Sequence, residues 1–137
     1  MKLLIAALLA VFSTGAMAEW TYLASAKNGA FDIYIDKTTI RKRGNVAKMW
    51  KLQDHKPRKG SGALSNTSLD EYDCVEIRSK PLDFISYSDN MGKGEIVSIS
   101  RHDPTINYFD LTGDVEGWMN VPPDSPAMRA WKAACKK

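Results

Sequence analysis

Two cysteines, Cys74 and Cys135, lie downstream of a leader-like N-terminus, and together these features constrain the fold more than anything else in the chain. Residues 1–18 fall into three parts: a charged Lys2, an apolar run at 3–12, and small residues ending in Ala16, Met17 and Ala18 before Glu19. That is the layout of a secretory signal cut between Ala18 and Glu19. The apolar run is too short for a membrane span, which takes about 20 residues. The residue after the expected cut is Glu19, not a lipid-accepting cysteine, so the mature form carries no transmembrane or lipid anchor. Export places both cysteines where oxidation joins them, and the expected bridge is Cys74–Cys135. Closing a loop of about 60 residues contributes roughly 4 kcal/mol in the chain-entropy description. That is comparable to much of a small domain's net stability.

Without the leader, residues 19–137 are enough for one domain with one core and too few for two. Lys2 leaves with the leader, so 18 basic residues face 16 acidic ones, a net charge of +2. This near balance gives no global pull toward nucleic acid, which calls for a strongly basic face.

The pattern along the mature chain is mostly extended. Residues 19–26 and 30–36 flank Asn28 and Gly29, a hairpin signal. In the second run Phe31, Ile33 and Ile35 alternate with Asp32, Tyr34 and Asp36, the clearest strand in the sequence. Residues 37–44 read as a polar connection, and 45–54 as a third strand with Val46, Met49, Trp50 and Leu52. Residues 55–68, with Pro57, Gly60, Gly62 and a basic group, offer nothing for a core and are expected as a loop. A strand over 69–80 places Cys74 in its interior, Pro81 bends or breaks the pairing, and 82–88 and 95–100 complete six strands. Residues 101–117 fit either a strand or a packed loop. Ser125 as N-cap and Pro126 in the first turn start a short terminal helix. On it Ala127, Met128, Trp131, Ala134 and Cys135 share one face, opposite Arg129, Lys132 and Lys136. The expected fold is α+β: an antiparallel sheet of about six strands, with the C-terminal helix packed on it and tied by the disulfide.

Catalytic and metal signals are weak. His55 and His102 are far apart and no zinc spacing is present. Asp110, Asp114 and Glu116 lack calcium-loop spacing. Neither G-x-S-x-G nor S-x-x-K occurs in the mature chain. The run from Met91 to Gly94 lacks the full phosphate-loop spacing and reads as a hairpin turn. Asn66, Thr67 and Ser68 match a glycosylation pattern too short to carry weight. Two basic groups, Lys37, Arg41, Lys42 and Arg43, and Lys56, Arg58 and Lys59, flank a strand. They form either a cationic rim for an anionic glycan or acidic protein segment, or two solvated loops that protect edge strands.

With these residues in view, the chain resembles the surface-adhesin protein E-like family of exported bacterial proteins. The resemblance runs through Trp20; Tyr34 to Asp36 with Ile40; Val46 to Trp50; Tyr72 to Cys74; Met91 to Gly94, with Gly92 and Gly94; Trp118 to Pro122 with Ser125; and Trp131 to Cys135. It departs from the family pattern before Tyr72 and in a longer insertion at 101–117. It implies the same sheet, helix and disulfide and, for the founding type of member, adhesion to extracellular-matrix and plasma proteins and dimerisation. Trp20, Trp50, Tyr72, Gly92, Gly94, Trp118 and Trp131 carry over as structural residues, and no ligand contact does. The expectation is a non-enzymatic, cofactor-free binding protein of the cell envelope, in the periplasm or on the outer surface. Its leading form is a surface adhesin for host matrix or plasma proteins, with a homodimer in prospect. The rival is a periplasmic accessory protein that binds an envelope component or small ligand.

Overall fold

The computed structural model describes residues 17–56, 62–101 and 117–136. Six strands run as an antiparallel meander in sequence order: β1 (Thr21–Ser25), β2 (Phe31–Arg43), β3 (Val46–His55), β4 (Ser65–Asp73), β5 (Arg78–Tyr87) and β6 (Ile96–Arg101). A two-residue strand, β7 (Met119–Asn120), shares the outer edge of β5 with β6. The helix α1 (Pro126–Ala134) packs across β1, β2 and β3.

Alternation decides which side chains α1 covers. Ile35 of β2, Ala47 and Met49 of β3 and Tyr72 of β4 point toward the helix and meet Ala130, Ala134 and Cys135 in one core. Tyr72 is 2% exposed; burial, and then the neighbouring Asp70 carboxylate, push its hydroxyl well above the usual tyrosine range. The helix starts as its sequence dictates: Ser125 Oγ accepts from the Met128 N–H at 3.1 Å, and Pro126 fills the first turn, where a missing N–H costs nothing. Ala130, rather than the exposed Ala127, completes the buried stripe.

The bridge between Cys74 and Cys135 spans a Cα–Cα distance of 5.5 Å. Cys74 does not sit inside a strand. It follows β4 in a turn shaped by Asp73, whose Oδ1 accepts the N–H groups of Val75 and Glu76, each at 3.0 Å. That turn divides the continuous run expected over 69–80. Pro81 bends the pairing as expected: the β4–β5 register shifts between Leu69 and Asp70, where Pro81 stands opposite.

Two polar stretches are strand rather than loop. β2 continues to Arg43 through a wide bulge in which residues 37–40 stand opposite the single Met49. Side-chain bonds hold it: Asp36 Oδ1 accepts the Thr38 N–H at 3.0 Å and the Thr38 hydroxyl, and Thr39 Oγ1 donates to the Asp36 carbonyl at 2.6 Å and accepts the Trp50 N–H at 3.0 Å. Residues 65–68 form the first half of the central strand β4 and are buried, and partners distant in sequence satisfy the side chains of Ser65 and Asn66. Ser65 Oγ donates to the Asp89 carbonyl and accepts the Gly92 N–H at 2.9 Å, and Asn66 Nδ2 lies 2.9 Å from His55 Nε2. His55 is therefore the last residue of β3, not a loop residue.

Residues 90–92 form a 3-10 turn between β5 and β6, as the glycines predict. Asp54 Oδ1 accepts from Asn90 Nδ2 at 3.0 Å and from the Met91 N–H at 2.7 Å, which clamps the turn over the end of β3.

Candidate functional site

The face of the sheet opposite α1 carries the chemistry. Pairing places Trp50 of β3 beside Leu69 of β4, and Thr67 beside Ile85 of β5, all on that face, with Tyr87 two residues beyond Ile85. Trp20, just before β1, closes the side of the resulting groove, whose volume is about 770 Å³. Among the described residues no α-helix packs on this face. The 3-10 turn covers its far end, where a Cβ on Gly92 would lie 3.3 Å from Leu52 Cδ1.

One end of the groove is cationic. Arg41 and Lys48 line it, and both also line an adjoining cleft of about 420 Å³ with Lys42, Arg43 and Glu71. The Arg41 guanidinium is held at the hairpin by the carbonyls of Thr38 and Ile40, at 3.0 and 2.9 Å. Lys80 sits 3.6 Å from Glu71 and 4.5 Å above the Trp118 ring, which fixes a further cation on the same face. On the groove floor Thr67, 6% exposed, has a hydroxyl oxygen with no hydrogen-bond partner among the described residues. The groove thus combines aromatic walls, a basic end and an available polar atom, the elements used to bind an extended ligand with acidic groups.

The basic rim expected from sequence is only half assembled. Lys37, Arg41, Lys42 and Arg43 belong to β2 near the start of β3, whereas Lys56 follows the end of that strand, about 30 Å away at 3.3 Å per residue. Arg58 and Lys59 lie outside the described residues, as do His102, the acidic group Asp110, Asp114 and Glu116, and nearly all of the 101–117 insertion. Among the described residues no group of three or more His, Cys, Asp and Glu side chains is placed to hold a metal.

The remaining singled-out residues take separate places. Trp20 and Trp50 line the groove, and Tyr72 is core. Gly92 and Gly94 serve the turn at the end of β5, and Trp118 lies under Lys80 and Arg78. Trp131 donates its indole N–H to the Asp73 carbonyl at 2.8 Å. Ala18 and Glu19 are exposed and precede β1, and residues 1–16 lie outside the described residues. Sequence reasoning did not single out Leu69, Ile85 and Tyr87. Alternation reveals each strand's two faces, but only the order of strands shows which three side chains become neighbours.

These features define a class: a single-sheet antiparallel meander backed by one helix and closed by one disulfide. The chain belongs to the surface-adhesin protein E family, whose sequence profile matches residues 20–136. Three solved structures of Haemophilus influenzae protein E, including crystal form II and a selenomethionine form, are similar to it at TM-scores of 0.54–0.55. They share 15% identity with it, over 83% of this chain and 83–86% of theirs, so the likeness is one of fold. No curated protein matches the chain significantly.

Proposed function

We propose that this protein is a non-enzymatic binding protein exported through its N-terminal signal to the cell surface, where it acts as an adhesin for host matrix or plasma proteins. The observation that carries the reading is the groove of Trp20, Trp50, Leu69, Ile85 and Tyr87 with Arg41 and Lys48 at one end. Its apolar walls suit the side chains of an extended protein segment, and its basic end suits acidic residues in that segment. Membership of a surface-adhesin family supports the same reading. Among the described residues no helix is long and apolar enough to cross a membrane.

The test is binding of the purified mature protein to a panel of matrix and plasma proteins, beside an unrelated periplasmic protein. Specific binding that falls with salt and with Trp50→Ala supports the reading. Binding no better than the control across the panel contradicts it.

A further inference from the structure

Asp36 is the most buried carboxylate among the described residues, at 2% exposure, and no Lys or Arg among them forms an ion pair with it. Its Oδ1 is taken by the Thr38 N–H and hydroxyl. Its Oδ2 accepts the main-chain N–H of Glu19 at 3.1 Å. A buried carboxylate served only by neutral donors is poorly compensated, and a cation in that position strengthens it.

Glu19 is the residue that follows the expected signal cleavage. In the precursor its nitrogen is an amide; after cleavage the same nitrogen is an ammonium with three donors, protonated at neutral pH. We propose that Asp36 is the receptor for the mature N-terminus, so that removal of the leader converts a neutral hydrogen bond into an ion pair. The inference rests on the export reading for its biological setting, and on the geometry alone for the pair itself.

Two consequences follow from where the pair sits. Trp20, one residue on, lines the groove, so replacing the amide contact by an α-ammonium strengthens the anchor of that wall in the processed chain. Met17 and Ala18 line the same groove and leave with the signal. Asp36 also begins the β2 bulge, so the ion pair joins the edge strand β1 to the turn that presents Arg41. Processing therefore clears and stiffens the site in one step.

The test compares protein beginning at Glu19, made by scarless removal of a fusion partner, with protein carrying Gly-Ser before Glu19, each with and without Asp36→Asn. The native start is expected to melt about 3 °C or more above the extended chain, a difference that disappears with Asp36→Asn. Equal melting of native and extended chains with Asp36 intact overturns the pair. Should the Asp36→Asn variant fail to fold, acylation of the α-amine at neutral pH serves instead: the native protein is expected to react roughly tenfold more slowly than its urea-unfolded form. Equal rates overturn the proposal. Mass spectrometry of protein exported from its own precursor separates the two readings: a start at Glu19 supports processing, a cut elsewhere overturns Glu19 as the mature N-terminus, and an intact Met1 overturns the export step while the melting comparison still judges the pair.

Discussion

The indole Nε1–H of Trp131 donates to the main-chain carbonyl of Asp73 at 2.8 Å, one residue before the cysteine that bridges to Cys135. One turn of helix is thereby tied to the end of β4 twice, once covalently and once by a hydrogen bond that also fixes the aromatic ring against the core. A helix of 9 residues is too short to persist alone in water, so these two ties and the Ala130–Ala134 stripe hold it on the sheet.

Reduction of the disulfide, or Cys74→Ser with Cys135→Ser, is expected to cost about 4 kcal/mol, because the closed loop spans 61 positions. Trp131→Phe keeps much of the ring and loses the hydrogen bond, at about 1 kcal/mol. Chemical denaturation of the three proteins checks both figures. An unchanged midpoint on reduction contradicts the role given to the bridge.

Gly94 and Gly44 both lie at positive φ, +80° and +58°, but their surroundings differ. A Cβ at Gly94 would approach Ser88 Oγ and come 2.7 Å from Asp89 Oδ2, whereas at Gly44 nothing lies within 4 Å. Gly44→Ala is therefore expected to cost only the backbone penalty of about 1 kcal/mol, and Gly94→Ala clearly more, since it also displaces the turn that covers Leu52. Thermal melts of the two variants rank them.

The Asp73 carboxyl is held below the usual carboxylate range, first by the Glu76 N–H and then by the Arg78 side chain. Because the folded value is depressed, this contribution to stability is complete above the unfolded value of about 3.8 and is lost as pH falls through the lower folded value. Asp73→Asn keeps the turn acceptor and removes the charge. Its stability deficit, measured by urea denaturation, is expected to be larger at pH 7 than at pH 3. An equal deficit at both values contradicts the account.

In the groove, Trp50→Ala removes a half-buried wall, and Arg41→Glu with Lys48→Glu reverses the basic end, all on exposed or partly exposed positions. Both changes are expected to weaken ligand binding tenfold or more while leaving the disulfide-tied core intact. Circular dichroism and a melt confirm the fold, and surface plasmon resonance reads the binding.

Much of this architecture is written locally. The alternation of Phe31, Ile33 and Ile35 marks β2, Ser125 and Pro126 start the helix, and the glycines around Met91 make a turn. What escapes a local reading is burial achieved by polar residues. Residues 65–68 look like linker because each is hydrophilic, yet they occupy the central strand, with partners such as Asp89, Gly92 and His55 supplied from elsewhere in the chain. The same applies to the bulge after Asp36, where threonine and aspartate side chains replace missing ladder bonds. The groove was legible only in part. Trp20 and Trp50 stood out, but their neighbours come from three strands and depend on register. The Glu19–Asp36 contact spans 17 positions and carries no local signal at all.

Protease accessibility of the native protein on intact cells, with a periplasmic marker to report leakage, tests the central claim most directly. Digestion while the marker stays intact is the predicted result and places the groove where it meets host proteins. Protection until the outer membrane is opened would contradict surface adhesion and leave a periplasmic binding protein in its place.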